Sequence, residues 1–325
     1  MNIVVAIILL VVGLLILWKS ADLLVAGAVG LAERLGISSL VVGLTVVAMG
    51  TSAPELAASI AGVMRKAGGG DIAVGNVFGS NIANLALVGG LIALIRPLEV
   101  KRKTLFREIP VMLAVGLLLW PFIHDAYLAR REGLILITVF IILILLMVLT
   151  AKREARQALS ETRNTDRDTN QQPSRTIKNV LFVVIGLVGL ALGAEMVVNG
   201  AVFIGKRIGL SEAVIGITMI AFGTSLPELV TCVVAAIKGH HDISVGNLVG
   251  SNIFNTLLVT GVAGVVRPFT IESPRLAGGD DYWIMIGVSV AFATAVLVGK
   301  LVIGRKYGIV LLCIYAGYIA YLFFV

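Results

Sequence analysis

The chain has 325 residues, 58% of them apolar and 14% charged, with a formal net charge of +7. A soluble domain runs nearer half apolar and a quarter charged, so an ordinary soluble fold is excluded. The apolar stretches are long and continuous, which also argues against the ten-residue alternating strands of a membrane barrel.

Ten apolar segments are predicted, over 3–27, 38–64, 72–95, 109–123, 133–150, 179–204, 211–237, 243–266, 283–303 and 307–324. Most exceed the ~20 residues that a helix needs to cross the hydrocarbon core. The first follows no basic stretch and precedes no small-residue cleavage site, so it reads as a retained span and not as a leader. It carries Asp22, three residues after Lys19, which is close enough to neutralise it locally. The second contains GLTVVAMGTSAPEL from Gly43, and the third DIAVGNVFGSNIANLALVGG from Asp71. The fourth is the shortest.

A polar stretch over 151–177 follows the fifth segment and reads as a flexible linker with a helical start. It divides the chain into a first five-helix repeat, 1–150, and a second, 178–325. The sixth segment carries Glu195. The seventh contains GITMIAFGTSLPEL from Gly216, and the eighth DISVGNLVGSNIFNTLLVTG from Asp242. Asp280 and Asp281 are expected in a loop as a solvated pair. His124, His240 and His241 also fall in loops, with solvation the favoured reading of His240 and His241 beside Asp242. Cys232 and Cys313 both lie in apolar segments and read as buried thiols, with no metal-binding spacing.

The two GTS-x-PEL segments are offset by 173 residues and the two DI-x-VGN segments by 171. The match extends upstream to pair Asp22 with Glu195, Gly27 with Gly200 and Arg34 with Arg207, and downstream to pair Arg96-Pro97 with Arg267-Pro268. An internal repeat follows. Each half holds five spans, an odd number, so the second half is expected upside down relative to the first. Inverted repeats of this kind recur in transporters, with the binding site at the repeat interface near mid-membrane. The expected fold class is therefore an all-α integral membrane protein of ten transmembrane helices.

With the N-terminus outside, seventeen Lys and Arg fall in inner loops and eight in outer loops. The positive-inside rule then sets both termini outside and the linker 151–177 in the cytoplasm, in the cell (inner) membrane. The basic residues form no face interleaved with aromatics, so no nucleic-acid partner is expected. The lipid bilayer is the expected surrounding, with no obligate protein partner and no cofactor.

Glu55 and Glu228 are the strongest chemical signal. Each lies inside an apolar span at equivalent repeat positions, and neither has Arg or Lys within a helical turn. An ionised carboxylate there costs several kcal/mol unless compensated, and such acids are usually functional. Thr51 and Thr224 stand four residues before them on the same face, with Ser52 and Ser225 alongside. Pro54 and Pro227 cannot donate a backbone hydrogen bond, which frees carbonyls near Gly50 and Gly223. Broken helices of this kind present carbonyl oxygens to ions.

The next span in each half adds Ser80 and Asn84, and Ser251 and Asn255, each pair one turn apart. Asn81 and Asn252 suit helix–helix hydrogen bonding as readily as ligation. Asn76 and Asn247 stay unassigned, and Gly75-x-x-x-Gly79 and Gly246-x-x-x-Gly250 read as packing faces. An all-oxygen set of carboxylate, hydroxyl, amide and carbonyl fits a hard cation such as Ca²⁺. Soft metals would ask for His or Cys. Two carboxylates are neutralised by one Ca²⁺, by several Na⁺ or by two protons, and bare charges are costly to carry through an occluded state, so obligatory exchange is the natural cycle.

These motifs, GTSAPE…GNVFGSNIAN and GTSLPE…GNLVGSNIFN, resemble the two alpha repeats of the sodium/calcium exchanger family of the calcium:cation antiporter superfamily. The resemblance covers nearly the whole chain in span number, linker position and repeat order. It implies exchange of several Na⁺ for one Ca²⁺, with no enzymatic activity, and the first and sixth helices sliding across the rest. The implied cation ligands are Glu55 and Glu228, joined by Thr51, Ser52, Thr224 and Ser225 through hydroxyls or carbonyls, by the Ala48 and Ala221 carbonyls, and by Ser80, Asn84, Ser251 and Asn255. Asn stands at Asn84 and Asn255, where the potassium-dependent branch typically has an acid, so K⁺ dependence is not expected. The linker is too short for folded regulatory domains, which implies a prokaryotic-type exchanger. Two alternatives stand beside this reading: a proton-coupled cation exchanger on the same fold, in which Glu55 and Glu228 would carry protons, and, remotely, a metal-dependent intramembrane enzyme. The latter would need metal ligands near the interface with a basic phosphate-binding cluster.

Overall fold

The structure, a computed structural model, describes residues 2–65, 68–161, 174–209 and 221–324. Helices dominate them. In chain order they are α1 (Ile3–Leu35), α2 (Ser39–Thr51), α3 (Ala53–Val63), α4 (Gly69–Ile95), α5 (Thr104–Ile123), α6 (Arg130–Glu161) and α7 (Ser174–Arg207). After these come α8 (Ala221–Thr224), α9 (Leu226–Ile237), α10 (His241–Val266), α11 (Asp280–Val298) and α12 (Arg305–Phe324). Among the described residues eight helices are long and apolar enough to cross a membrane, or nine if the pair α2 and α3, bent by 42°, counts as one. The chain is an all-α integral membrane protein.

Several boundaries differ from the sequence expectation. The fourth predicted segment, 109–123, starts at Thr104 in α5, because a π-helical turn over Thr104–Glu108 carries the polar residues ahead of it into the helix. The ninth, 283–303, is two elements. Helix α11 stops at Val298, and Val302–Ile303 forms a short strand. Residues 211–220 of the seventh segment and 162–173 of the linker lie outside the described residues. The linker's expected helical start is present, since α6 continues to Glu161.

Helices α4 and α10 are largely buried at the centre, while α1, α6, α7 and α12 present much of their apolar surface outward. On α6, Leu134, Ile135, Ile141, Ile142, Leu145, Leu146 and Leu149 are all exposed. In lipid such a face needs no cover, so binary patterning of the soluble kind is absent.

Glycines set the closest helix contacts. A Cβ on Gly13 would sit 2.9 Å from the Gly193 carbonyl oxygen, one on Gly186 2.8 Å from the Ser20 carbonyl, and one on Gly200 2.8 Å from the Ala6 carbonyl. The paired numbers rise on α1 in steps of seven as they fall on α7, so these two helices run antiparallel along one seam. Small residues let helix backbones approach in this way. Gly246 and Gly250 of α10 pack on α2 likewise, against the carbonyls of Leu40 at 2.7 Å and Leu44 at 2.6 Å, as the glycine spacing predicted. Among the described residues a Cβ on Gly75 would meet only Leu276, at 3.8 Å, and one on Gly79 nothing within 4 Å, so the close packing expected of that pair is not seen there.

Two minimal antiparallel ladders, not foreseen from the sequence, cross between the halves. Leu98–Glu99 (β1), after α4, pairs with Val302–Ile303 (β4), before α12; Tyr127–Leu128 (β2), before α6, pairs with Phe269–Thr270 (β3), after α10. Arg96 and Arg267 also cross. The Arg96 guanidinium donates to the Ile237 carbonyl at the end of α9 at 2.6 Å, and that of Arg267 donates to the carbonyls of Val63, Met64 and Arg65 at the end of α3 at 3.1–3.4 Å. A cation there satisfies carbonyls that a helix C-terminus leaves unpaired.

Candidate metal-cation site

The site is assembled by two helix breaks and two π-helical turns. At the first break Ser52 has φ −86° and ψ 10°; at the second Ser225 has φ −87° and ψ 3°. Both fall in the sparsely used bridge region where many active-site residues sit. The residue after next in each half is Pro, which starts a new helix well but gives the carbonyl four residues earlier no amide hydrogen. Glu55 and Glu228 therefore occupy the first turn of α3 and α9, where the positive end of the helix dipole favours an anion. The π-helical turns lie over Ala83–Val88 in α4 and Asn255–Val259 in α10. Such bulges interrupt the regular ladder and are frequent at functional sites. Here they carry Asn84 and Asn255.

Both glutamates are fully buried, at 0% exposure. Each accepts a hydrogen bond from the serine of the opposite break: Ser52 Oγ donates to Glu228 Oε1 at 2.8 Å, and Ser225 Oγ to Glu55 Oε1 at a long 3.5 Å. The hydroxyls of Ser80 and Thr51 also face the Glu55 and Glu228 carboxylates, respectively. The second oxygen of each glutamate is buried without a hydrogen-bond partner among the described residues. So are both side-chain atoms of Asn84 and both of Asn255. Leaving a buried polar atom unpaired costs about 1–3 kcal/mol, and the four oxygens in this set are acceptors suited to a hard cation.

The remaining predicted residues divide. Thr51 donates to Asn247 Oδ1 at 3.1 Å and lies 3.4 Å from the Ala48 carbonyl, which also accepts from the Ser52 amide at 3.0 Å. Ser251 donates to Asn247 at 3.4 Å. Thr224 is half-buried beside the second break. Ala221 starts α8, and its side chain lies outside the described set. Asn81 donates to Thr256 Oγ1 at 2.9 Å and Asn252 to the Leu248 carbonyl at 2.8 Å, while the Oδ1 of each is also buried without a hydrogen-bond partner among the described residues. Asn76 ties α4 to α3 through the Glu55 carbonyl and Ser59, both at 2.9 Å. Asn247 holds Cys232 Sγ at 3.2 Å in the equivalent place. Thr231, one turn beyond Glu228, was missed from the sequence: it is fully buried with its hydroxyl unpartnered among the described residues. Its i+3 spacing from Glu228 is the signal that could have found it.

Four other expectations need correction. Asp22 is ion-paired with Lys238 across the helices, not with Lys19, because α9 ends beside α1. Asp280 and Asp281 begin α11, and Asp281 is buried and paired with Arg275 at 3.0 Å, not solvated. Cys232 is buried as expected, but Cys313 is exposed on α12. His240 and Asp242 are not a free loop: burial, then Lys238, holds the His240 imidazole below its ordinary range, and Asp242 pairs with Lys101 at 2.6 Å. Among the described residues no group of three or more His, Cys, Asp or Glu gathers as a metal site.

The family described as sodium/calcium exchanger protein matches residues 5–149 and 178–324. Among curated relatives, the putative antiporter CaxA of Alkalimonas amylolytica is 39% identical over 317 residues, 97% of each chain. The inner membrane protein YrbG of Escherichia coli is 38% identical, covering 88% of this chain and 86% of its own. The sodium/calcium exchanger MaX1 of Methanosarcina acetivorans is 32% identical over 98% of each. Among solved structures, the sodium-calcium exchanger NCX_Mj superposes with a TM-score of 0.82 at 30% identity, over 99% of this chain and 100% of that one.

Proposed function

The chain belongs to the sodium/calcium exchanger family and is a membrane antiporter of Na⁺ and Ca²⁺, and from that premise we propose that Glu55 and Glu228 hold the transported cations between its two halves. The observation that carries this reading is the set of four buried oxygens without a hydrogen-bond partner among the described residues, one each on Glu55, Glu228, Asn84 and Asn255. A dehydrated Ca²⁺ takes six to eight oxygens. Two carboxylates, the Asn84 and Asn255 carbonyl oxygens and the hydroxyls of Ser52, Ser225, Ser80 and Ser251 supply that number and neutralise the charge. The threonines and the Ala48 and Ala221 carbonyls serve flanking Na⁺. For Ala48, this requires the Thr51 hydroxyl to turn from it.

The cycle is alternating access. With the site empty, two carboxylates would have to cross an occluded state uncompensated, which low dielectric opposes strongly. Either one Ca²⁺ or several Na⁺ removes that cost, so each crossing needs a cargo and the two fluxes are locked in opposite directions.

The organisation is two five-helix repeats, 1–150 and 178–325, of inverted topology, joined by a cytoplasmic linker at 151–177, with ten transmembrane helices in all. Four observations support it. The leading helices of the two halves, α1 and α7, run antiparallel. The breaks at Ser52 and Ser225 share their dihedral angles. The π-helical turns fall at equivalent asparagines. The cross-half ladders and arginine contacts come in matched pairs. Both termini face outside and the chain sits in the inner membrane, on the bias of its basic loops.

Equilibrium Ca²⁺ titration of the purified protein tests the site. The wild type saturates, and Glu55→Gln and Glu228→Gln each lose at least about a hundredfold in affinity, since truncating one member of a buried, compensated charge set costs about 3–5 kcal/mol. Wild-type affinity in both variants would remove the assignment.

A further inference from the structure

The cation site leaves two intramembrane acids unused. Asp22 on α1 and Glu195 on α7 occupy equivalent positions in the two halves, yet their surroundings differ. Asp22 is ion-paired with Lys238. Glu195 is exposed and lines a cleft of about 610 Å³ between α7 and the two helix breaks. The opposite wall of that cleft carries Gly50, Thr51 and Pro54 from the first break, and Gly223, Thr224 and Pro227 from the second. The cleft thus opens onto the threonine side of the proposed site.

Helix α7 seats itself on both breaks. A Cβ on Gly50 would lie 2.4 Å from Leu187 Cδ2, and one on Gly223 2.1 Å from Val198 Cγ2. Glu195 stands between these two anchor points, three residues before Val198. Apart from it, the wall that α7 contributes is Leu, Val and Ala, and Glu195 is the only charged residue among the described lining residues. An ionised carboxylate on an apolar wall at membrane depth is costly unless a cation comes to it. Low-dielectric walls also focus its field along the cleft, which raises the local concentration of cations.

We propose that Glu195 is a cation-capture residue of the access cleft, drawing Ca²⁺ and Na⁺ to the Thr51–Thr224 side of the site, and that Lys238 withholds its counterpart Asp22 from the same task in this conformation. The inference rests on the assignment of Glu55 and Glu228 as cation ligands. Glu195 lies nearer the Arg207 end of α7, the outer end by the positive-inside rule, and Asp22 lies beside Lys238 on the inner side. Glu195 therefore serves ions arriving from outside. When the access side switches, the Asp22–Lys238 pair opens and Asp22 serves ions arriving from inside.

The test is ⁴⁵Ca²⁺ uptake against opposing Na⁺ in right-side-out and everted membrane vesicles, with the full chain. Glu195→Gln raises the Ca²⁺ concentration for half-maximal uptake from the outer face by about tenfold, keeps the maximal rate, and leaves the inner face unchanged. Glu195→Asp restores the outer value, and Asp22→Asn shifts the inner face alone. In the wild type itself, rising ionic strength moves the outer half-saturation towards that of Glu195→Gln, because an accessible charge is screened. A purely structural residue would lower the maximal rate from both faces. An unchanged outer half-saturation in Glu195→Gln, an equal shift on both faces, or a salt-insensitive wild type overturns the proposal. Exchange that persists in Glu228→Gln would instead overturn the site assignment beneath it.

Discussion

Ser52 and Ser225 do the same job with unequal geometry. The 2.8 Å bond from Ser52 to Glu228 is a good hydroxyl–carboxylate contact, while the 3.5 Å approach of Ser225 to Glu55 is at the limit of one. A hydrogen bond to a charged group contributes about 1.5–3 kcal/mol, so Ser52→Ala weakens half-saturating Ca²⁺ by roughly tenfold or more, and Ser225→Ala by less. Concentration dependence of ⁴⁵Ca²⁺ uptake measures both, and a larger effect at Ser225 would contradict the geometry. Asn255 gives a sharper separation of function from structure. None of its side-chain atoms has a partner among the described residues, so Asn255→Leu removes an unsatisfied amide of similar volume and raises the melting temperature in Ca²⁺-free buffer while lowering exchange. A drop in both would make Asn255 a structural residue. The glutamates, hydroxyls and amides were legible in the sequence because each appears twice in an apolar setting. Which asparagines donate to a neighbouring helix or to their own was not legible: the amides of Asn81 and Asn252 donate, those of Asn84 and Asn255 do not, and the four Oδ1 atoms are alike in lacking a partner among the described residues. The partner of Asp22 was misread for a related reason: Lys19 is near in sequence, but Lys238 is near in space.

At the scale of elements, the breaks and bulges do what side chains alone cannot. Each Gly-Thr-Ser-x-Pro run ends one helix and starts another within a single residue, which puts a carboxylate at a helix N-terminus deep in the apolar layer. The seating of α10 on α2 then sets how close the two halves of the site come. A Cβ on Gly250 would meet the Leu44 carbonyl at 2.6 Å and the Leu44 Cα at 2.8 Å. Backbone cannot yield as a flexible side chain can, so Gly250→Ala costs about 1–3 kcal/mol by overpacking and lowers thermal stability. Gly317→Ala on α12, where a Cβ meets nothing within 4 Å, is neutral or stabilising by up to about 1 kcal/mol from helix propensity. Equal effects at the two glycines, measured by thermal unfolding in detergent, would refute this packing. The Pro and Gly signals gave the breaks in advance. The π-helical turns and the two-residue ladders had no local signature, because both depend on what the other half of the chain brings alongside.

For the molecule as a whole, the doubled motif carried most of the architecture. An odd number of spans per repeat leads from sequence to the expectation of inverted halves, and the antiparallel seam of α1 and α7 is consistent with it. The same doubling explains why the site is cross-bonded. Each half supplies one carboxylate and the hydroxyl that steadies the carboxylate of the other, so neither half forms the site alone. On the proposed assignment, uncharged Asn84 and Asn255 keep the cluster at two carboxylates, a charge that one Ca²⁺ or two Na⁺ balance.

The most direct test of this account is ⁴⁵Ca²⁺ uptake into proteoliposomes loaded with Na⁺, compared with Na⁺-free vesicles, a proton gradient and added K⁺, with Glu228→Gln reconstituted in parallel. The account predicts uptake that requires internal Na⁺, does not respond to K⁺, and disappears in Glu228→Gln. Uptake driven by the proton gradient alone, or uptake that survives the loss of Glu228, would contradict it.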